Sequence, residues 1–465
     1  MIQPAGSKKQ KEQSHSDKKG QRLRALDIFR GLTVAAMILV NNPGDWSTVY
    51  PPLLHTKWNG CTIADLIFPF FLFIVGLSIS LALGNQLRQG KEKPAIAFKI
   101  IRRSILIFSL GVFLAAFPNF GFSDDHVHLT IHYFLLSLVI LAVFFREIAG
   151  QNQFDSHLFA QRWRTALGYF VVGTISILFM LTLSGFLPYS ISHLHLPGVL
   201  QRIAIVYACG GLLFLYTPWR IQLSFGIGIL LLYWMVMMVI PVPGYGHANL
   251  DPVHNMATWT DRFMINSIYF WVTGHSHHWT EFHLGDPEGF LSTIPAITTA
   301  IIGILAGKWL TTRNSNYKKV TGILAVGAIL VFMGLFWDLE FPINKKLWSS
   351  SYVLYTGGIA LLVFGIIYWL EDILGYLPMT KPAVVFGTNA LFIYLFSEMI
   401  NHIVYTIAWV DASGHHLSLQ SWLYQTFYHS WLPAYRASLL YSLTYVFFFW
   451  VCAWILYRKK IFIKV

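Results

Sequence analysis

Two polar side chains stand out in the stretch HTKWNGCTIAD, which lies between two strongly apolar segments. His55 opens it with an imidazole, which can take a proton from an amine or hydroxyl nucleophile or can itself attack an acyl donor. Asp65 closes it at the start of an apolar segment, where a carboxylate is normally paired or functional. The turn at Asn59-Gly60 can fold both side chains toward one cavity, where a carboxylate orients an imidazole. The pattern therefore makes His55 and Asp65 catalytic candidates.

Each of these two residues also has a structural alternative. His55 can be an interfacial histidine that bonds to a backbone carbonyl, and Asp65 can be a helix cap or the partner of Arg202. Asn41 ends the preceding apolar segment, just before Pro43. Its amide can donate to a developing oxyanion, or it can satisfy the last carbonyls of a helix. Asn41 is the third catalytic candidate.

Basic residues form two groups in the first quarter of the chain. Arg24 and Arg30 lie in RLRALDIFRG, and Arg102 and Arg103 lie in KIIRRS. Such groups can hold a phosphorylated ligand, because guanidinium donors match phosphate oxygens. The alternative is that each side chain extends to lipid headgroups. Arg30 is the exception, since it lies furthest inside its apolar segment.

A later apolar segment carries Asn389, Tyr394 and Glu398. The spacing of four places Tyr394 and Glu398 on one helical face. A glutamate within a membrane segment is a functional candidate by default. The sequence GHSHH suggests metal binding, but no carboxylate or cysteine ligands accompany it at a diagnostic spacing. We therefore predict no metal site.

Composition defines the class of protein. Hydrophobic residues make up 55% of the 465, charged residues only 12%, and the mean hydropathy is +0.55. A soluble chain of this length needs a more charged surface. Segments of about 20 apolar residues predict an all-α, multi-pass membrane protein. We predict twelve spans, at 27–42, 61–84, 101–119, 129–146, 166–187, 198–216, 221–241, 291–310, 319–337, 350–370, 383–405 and 436–457.

The distribution of positive charge predicts the sides of the membrane. With both termini cytoplasmic, 27 of the 33 lysine and arginine residues fall in cytoplasmic segments, as the positive-inside rule requires. The net charge of +12 therefore indicates membrane anchoring, and we predict no nucleic-acid partner. We expect a basic tail at 1–25 and one transmembrane domain at 26–465, with long outer loops at 242–290 and 406–435. These outer segments carry no Asn-x-Ser/Thr sequon, which favours a bacterial inner-membrane protein.

Several motifs together resemble the heparan-α-glucosaminide N-acetyltransferase family. They are RALDIFRGLTVAAMILVNN, HTKWNGCTIADLIFPFFLFIVGLSISL, LPGVLQRIAIVY, DPEGFLSTIPAI, INKKLWSSSYV, TNALFIYLFSE and LYRKKIFIKV. They occur in the order of the family and cover most of the chain. The resemblance implies that acetyl-CoA, supplied from the cytosol, donates an acetyl group to an amino sugar across the membrane. It also makes a homodimer plausible.

The resemblance also implies functional residues. The active-site histidine of the family precedes Trp-Asn-Gly, which here makes it His55, and the asparagine of the preceding span matches Asn41. Other residues inside the matched motifs are candidates to bind the acceptor: Trp58, Asn59, Arg202, Asp286, Glu288, Lys345, Trp348, Asn389, Tyr394 and Glu398. We expect Arg24, Arg30, Arg102 and Arg103 to bind the phosphates of the donor.

The sequence thus predicts an acetyl-CoA-dependent N-acetyltransferase in which His55 is a base or an acetyl carrier. Asp65 or Glu398 orients it in this scheme. Two alternatives stay open at this point. One is an O-acetyltransferase acting on an envelope polysaccharide, and the other is a solute transporter with about twelve spans. Release of free CoA on the donor side of a sealed vesicle distinguishes an acyltransferase from a transporter.

Overall fold

The computed structural model describes residues 23–117, 197–273, 287–376, 380–410, 414 and 416–463. These residues are mostly helical, and one short antiparallel hairpin pairs β1 (Ala408–Val410) with β2 (His416–Ser418). The helices are α1 (Arg24–Asn41), α2 (Ile63–Arg88), α3 (Lys93–Ala116), α4 (Val199–Tyr216), α5 (Trp219–Val239), α6 (Met256–Thr273), α7 (Phe290–Leu310), α8 (Asn316–Trp337), α9 (Ser350–Tyr368, continued by a π turn Trp369–Ile373), α10 (Lys381–Thr388), α11 (Ala390–Thr406), α12 (Leu419–Tyr424, continued by a π turn Gln425–His429) and α13 (Ala434–Arg458).

Within the described ranges, seven helices are long and apolar enough to cross a membrane. They are α2, α4, α5, α7, α8, α9 with its π turn, and α13. Helices α10 and α11 satisfy the same criteria together, which makes eight spans if this bent pair is one span. A bilayer core of about 30 Å needs about 20 apolar residues per helix. The prediction of an α-helical, multi-pass membrane protein is therefore confirmed.

The remaining predicted spans fall into two groups. Those at 27–42 and 101–119 correspond to α1 and α3, which are helices but carry three and four charged residues, respectively. Those at 129–146 and 166–187 lie outside the described residues. The prediction for 101–119 also needs a correction, because α3 begins at Lys93. Arg102 and Arg103 consequently lie more than two helical turns inside the helix rather than at its start.

The predicted span at 383–405 is not one straight helix. It breaks at Asn389, where α10 and α11 meet at an angle of 80°. The Asn389 side chain donates to the carbonyl of Ile461 over 3.0 Å and accepts from the backbone N–H of Ile463 over 2.8 Å. The break is therefore fixed by the segment that follows α13, a contact that the local hydrophobic pattern cannot show.

Both long loops contain regular structure. The loop predicted at 242–290 includes α6, which precedes the undescribed residues 274–286. The loop predicted at 406–435 includes the β-hairpin and α12. In the centre, Gly76 of α2 lies against Ala300 of α7, and Gly303 of α7 lies against Phe73 of α2. Larger side chains at these glycines would meet backbone atoms, so the α2–α7 pair is closely packed in the way small residues allow in membranes.

Candidate active site

Asp65 lies in the first turn of α2, at the start of a span and fully buried. Thr62 precedes the helix as its N-cap and forms a capping box with Asp65. The Asp65 Oδ2 atom accepts from the backbone N–H and the hydroxyl of Thr62, each over 3.0 Å. It also accepts from the N–H and the hydroxyl of Thr56, each over 3.2 Å. One carboxylate oxygen therefore fixes the loop before α2.

The other oxygen of Asp65 is used for His55. The Nδ1 atom of His55 lies 2.8 Å from Asp65 Oδ1. A carboxylate only accepts, so Nδ1 carries the proton in this contact and Nε2 holds the lone pair. The His55 side chain is 39% exposed, whereas Asp65 is inaccessible. This is a carboxylate–imidazole pair in which the basic nitrogen, Nε2, is the one that does not contact the carboxylate.

Asp65 had two structural alternatives, a helix cap and a partner of Arg202. Among the described residues, Asp65 pairs with His55 and Lys345, and not with Arg202. It is at once a helix cap and the partner of the imidazole, with one oxygen for each role. His55 likewise bonds to a carboxylate rather than to a backbone carbonyl.

Lys345 completes this arrangement from the loop between α8 and α9. Its Nζ atom lies 3.1 Å from Nδ1 and 3.3 Å from Nε2 of His55, and 3.6 Å from Asp65 Oδ1. Its side chain is 14% exposed. Burial lowers the pKa of Lys345, and the charges of Asp65 and Glu288 oppose that shift. We call His55, Asp65 and Lys345 the histidine site.

A neighbouring thiol shows how apolar the surroundings are. Cys61 precedes α2, and burial, followed by the charge of Asp65, raises its pKa to about 12. The raised pKa favours the thiol over the thiolate, which is the nucleophilic form of cysteine. The three cysteines of the chain are free.

The loop that carries His55 and the loop that carries Lys345 are joined at consecutive positions. Gly60 N–H donates to the carbonyl of Ile343 over 2.7 Å, within an isolated parallel bridge between Gly60 and Asn344. The Asn344 side chain donates to Asn59 Oδ1 over 3.1 Å. Gly60 has a φ of +107°, which favours glycine because a side chain is strained there. These contacts set the distance between the imidazole and the ammonium group.

Trp58 connects the same loop to its neighbours. Its indole N–H donates to the carbonyl of Leu250 over 3.0 Å, and the ammonium of Lys346 lies 5.9 Å from the centre of its ring. Burial lowers the pKa of Lys346. Trp58 and Asn59 thus lie on the loop that carries His55. Their role in binding the acceptor stays a prediction.

Arg202 and Trp348 contact each other in the interior of the protein. Trp348 is fully buried with a φ of +52°, an uncommon value for a bulky residue. The guanidinium of Arg202 lies 4.8 Å from the centre of its ring. Arg202 also donates to Thr293 Oγ1 over 3.2 Å and to the carbonyl of Gly289 over 3.1 Å. These two predicted acceptor-binding residues thus contact each other, and Arg202 also contacts the start of α7.

The remaining predicted residues are more dispersed. The Asn41 amide donates to Glu398 Oε1 over 3.1 Å, which joins the end of α1 to α11. Tyr394 is buried one turn earlier on α11. Asn389 contacts the segment after α13, Glu288 influences the charge of Lys345, and Asp286 lies outside the described residues.

The four predicted donor-binding arginines do not form one cluster. Arg24 pairs with Glu371 over 2.9 Å and is 61% exposed. Arg30 donates to Ser78 Oγ over 2.8 Å, and Ser78 follows Asp65 by thirteen residues on α2, about 20 Å along the helix axis. Arg103 lies 5.0 Å from the centre of the Tyr207 ring, and Arg102 is exposed. We call the end of the bundle where α1 begins the arginine end.

The hydroxyl groups that hold Asp65 were not among the predicted site residues. Thr62 and Asp65 have the spacing of a capping box, so this role was detectable in the sequence. Tyr352 had no such local signal, and its hydroxyl donates to the Asp65 carbonyl over 2.6 Å. Among the described residues, no three His, Cys, Asp or Glu side chains are placed to hold a metal ion. The GHSHH run lies outside those residues.

Comparison with known proteins adds independent information. The sequence model of the family described as "Heparan-alpha-glucosaminide N-acetyltransferase, catalytic" matches residues 22–160. The proteins named heparan-alpha-glucosaminide N-acetyltransferase from Mus musculus and Homo sapiens are each 27% identical, over 470 and 472 residues. Each alignment covers 96% of this chain and 60% of the relative. The chain thus spans about three fifths of the length of these relatives.

The family model and both relatives carry the same name, so the chain is similar to heparan-alpha-glucosaminide N-acetyltransferase in each comparison. Candidate catalytic residues His55, Asn41 and Asp65 all fall in the part that the family model matches.

Proposed function

We propose that the protein transfers an acetyl group from acetyl-CoA to the amino group of a glucosamine-type sugar. The observation that carries this proposal is the 2.8 Å contact between His55 Nδ1 and Asp65 Oδ1, which leaves Nε2 as the basic nitrogen of the ring. The nature of the donor and acceptor is supported by the names of the two relatives. No other described pair combines a basic nitrogen, partial exposure and a fully buried carboxylate in this way.

His55 acts as a general base in this mechanism. The sugar nitrogen attacks the thioester carbonyl carbon and loses its proton to Nε2 as the C–N bond forms. Asp65 holds the ring in the required tautomer and stabilises the imidazolium. The C–S bond then breaks, and the imidazolium returns the proton to the departing thiolate. The products are the N-acetylated sugar and free CoA, and His55 is again neutral.

The donor and the acceptor meet from opposite sides of the membrane in this proposal. The twelve-span arrangement with both termini cytoplasmic places most basic residues on the donor side, as the positive-inside rule requires. Exposed Arg24, Arg102 and Arg103 are the proposed contacts of the CoA phosphates, since exposed guanidinium groups are available to phosphate oxygens. Arg30 bonds to α2 from inside, so we propose that it orders this end rather than binding the donor directly.

Near the histidine site, Trp58, Asn59 and Glu288 are the proposed contacts of the sugar. Trp58 and Asn59 follow His55 on the same loop, and Glu288 is half-buried near Lys345. We place the protein in a bacterial cytoplasmic membrane, with a homodimer as its proposed assembly. The absence of sequons from the predicted outer segments supports this location.

The test is His55→Ala in sealed proteoliposomes supplied with labelled acetyl-CoA on one side and glucosamine on the other. We expect labelled N-acetylglucosamine opposite the donor, free CoA on the donor side, and a loss of at least about 100-fold in rate for the variant. His429→Ala is the matched control, because His429 is exposed in the 406–435 loop. Unchanged transfer by a folded His55→Ala protein contradicts the role of His55, and transport of unmodified glucosamine contradicts the enzyme class.

A further inference from the structure

Lys345 has a position that its predicted role as an acceptor contact does not explain. Its Nζ atom lies within 3.3 Å of both ring nitrogens of His55, closer than it lies to Asp65 Oδ1 at 3.6 Å. An ammonium group has three donors. It can therefore keep its attraction to Asp65 while another N–H bond turns toward a ligand at Nε2. The amine is thus placed beside the atom that receives the proton.

The loop around Lys345 is built to hold it there. Asn344 is fully buried, its N–H donates to Ser349 Oγ over 3.0 Å, and its Oδ1 accepts from Leu347 N–H over 2.9 Å. The turn then closes with the Trp348 N–H donating to the Lys345 carbonyl over 3.2 Å. Trp348 adopts its positive φ in this turn, and such backbone conformations persist only where surrounding contacts enforce them.

Opposing influences act on the charge of Lys345. Burial lowers its pKa, while Asp65 and Glu288 raise it, so the fraction of ammonium depends on both carboxylates. The titratable groups around it come from four parts of the chain: His55 and Cys61 on the loop before α2, Asp65 on α2, Glu288 before α7 and Tyr352 on α9. Of these, the carboxylates favour the ammonium form.

Asn41, which the sequence suggested as an oxyanion donor, already has a hydrogen-bond acceptor. The Asn41 amide donates to Glu398, on α11. The acyl-transfer reaction proposed above develops negative charge on the thioester carbonyl oxygen as the amine attacks. A preorganised donor near that oxygen stabilises the transition state, and a buried cation does so strongly. Lys345 is the cation that adjoins His55 Nε2.

We infer that Lys345 is a catalytic residue whose ammonium group donates a hydrogen bond to the carbonyl oxygen of the acetyl group while it carries negative charge. This inference rests on the proposed function. No proton leaves Lys345: the C–N bond forms, the oxygen becomes anionic, the ammonium stabilises it, and the charge departs with the thiolate when the C–S bond breaks. The arriving carbonyl also draws the ammonium away from Nε2, which frees the base for the amine.

The test compares Lys345→Met, Lys345→Arg and the control Lys57→Met, an exposed lysine two residues from His55. Each is purified, checked for folding by thermal unfolding, and assayed for N-acetylglucosamine formation over a range of pH. We expect Lys345→Met to lower kcat by about 100-fold or more with a small change in KM for acetyl-CoA, and Lys57→Met to match the wild type.

The pH profile separates a chemical role from a structural one. Wild-type activity should fall at alkaline pH as Lys345 loses its proton, whereas Lys345→Arg should retain activity there, because a guanidinium does not deprotonate in this range. Glu288→Gln removes a charge that raises the pKa of Lys345, so its alkaline fall should begin at lower pH, relative to its own maximal rate.

Three results overturn the inference while leaving the proposed function intact. The first is a Lys345→Met rate within about threefold of wild type, because loss of an oxyanion donor costs far more. The second is a fall in activity at alkaline pH that persists in Lys345→Arg, and the third is a pH profile of activity that Glu288→Gln does not shift. A wild-type protein that forms no acetylated sugar contradicts the proposed function itself. In that case the protonation of Lys345 is measured without the reaction. An amine-specific reagent labels Lys345 across pH in the wild type and in Glu288→Gln, and peptide mass spectrometry quantifies the label.

Discussion

Asp65 and Arg24 both lie in the first turn of a helix, yet their surroundings differ in every respect. Asp65 is inaccessible, and its two oxygens accept from Thr56, Thr62 and His55. Arg24 is 61% exposed, and its side chain pairs with Glu371. The histidine site holds charge in one fixed geometry, while the arginine end leaves side chains with rotamer freedom. A chemical step needs the fixed geometry of the histidine site, whereas the binding of a large polyanion tolerates mobile side chains such as those of the arginine end.

The strongest test of this contrast is Asp65→Asn. The amide no longer stabilises an imidazolium, so we expect kcat to fall by about 10²–10⁴. It also leaves the buried ammonium of Lys345 without its nearest carboxylate, and we expect a loss of about 3–5 kcal/mol in the free energy of unfolding. Steady-state kinetics and denaturant unfolding measure the two effects.

Glu92→Gln is the matched control for Asp65→Asn, because Glu92 is an exposed carboxylate at the start of α3. It should change neither quantity appreciably. A folded Asp65→Asn protein with a rate within about tenfold of wild type argues that the carboxylate serves only as a helix cap, since a carboxylate that orients a catalytic imidazole contributes far more.

Substitutions at the arginine end should change the KM for acetyl-CoA rather than kcat. Arg102→Ala combined with Arg103→Ala removes two proposed phosphate contacts, and we expect KM for acetyl-CoA to rise about tenfold with kcat unchanged. Because the contacts are electrostatic, the difference from wild type should shrink at high ionic strength. Arg220→Ala is the control, since Arg220 stacks on Trp219 in the first turn of α5. An unchanged KM at low salt excludes these two arginines from the donor site.

The smallest expected effect is that of Arg24→Gln. The substitution keeps a donor for Glu371 and removes only the charge of a largely exposed side chain. We expect the free energy of unfolding to change by less than about 1 kcal/mol. A loss above about 2 kcal/mol, measured by denaturant unfolding, instead shows that the buried Glu371 carboxylate requires a full positive charge nearby.

Local patterns in the sequence predicted a good part of the architecture and of the site. Apolar segments located the seven described helices that can cross a membrane, because each pattern is contained in a single helix. The pairing of His55 with Asp65 was also accessible, since only ten residues separate them and a turn lies between. A capping box is equally local, and Thr62 could have been assigned by the same means.

Contacts between distant segments were not predictable in this way. The break at Asn389 depends on Ile461 and Ile463, and nothing in the surrounding apolar pattern marks it. The place of Lys345 depends on the pairing of Gly60 with Ile343 and Asn344. Periodicity describes one element at a time, so it cannot reveal which loop lies beside which.

The bridge between Gly60 and Asn344 has a consequence for how the protein is made. Lys345 follows His55 by 290 residues, so at typical translation rates the histidine leaves the ribosome roughly 15–60 s earlier. During that interval the His55 loop lacks the strand-like partner that orders it, although several helices are already inserted. The centre of the proposed chemistry is therefore among the later parts of the molecule to be completed, and a nascent chain stalled before Ile343 would carry both the base and its carboxylate without the ammonium beside them.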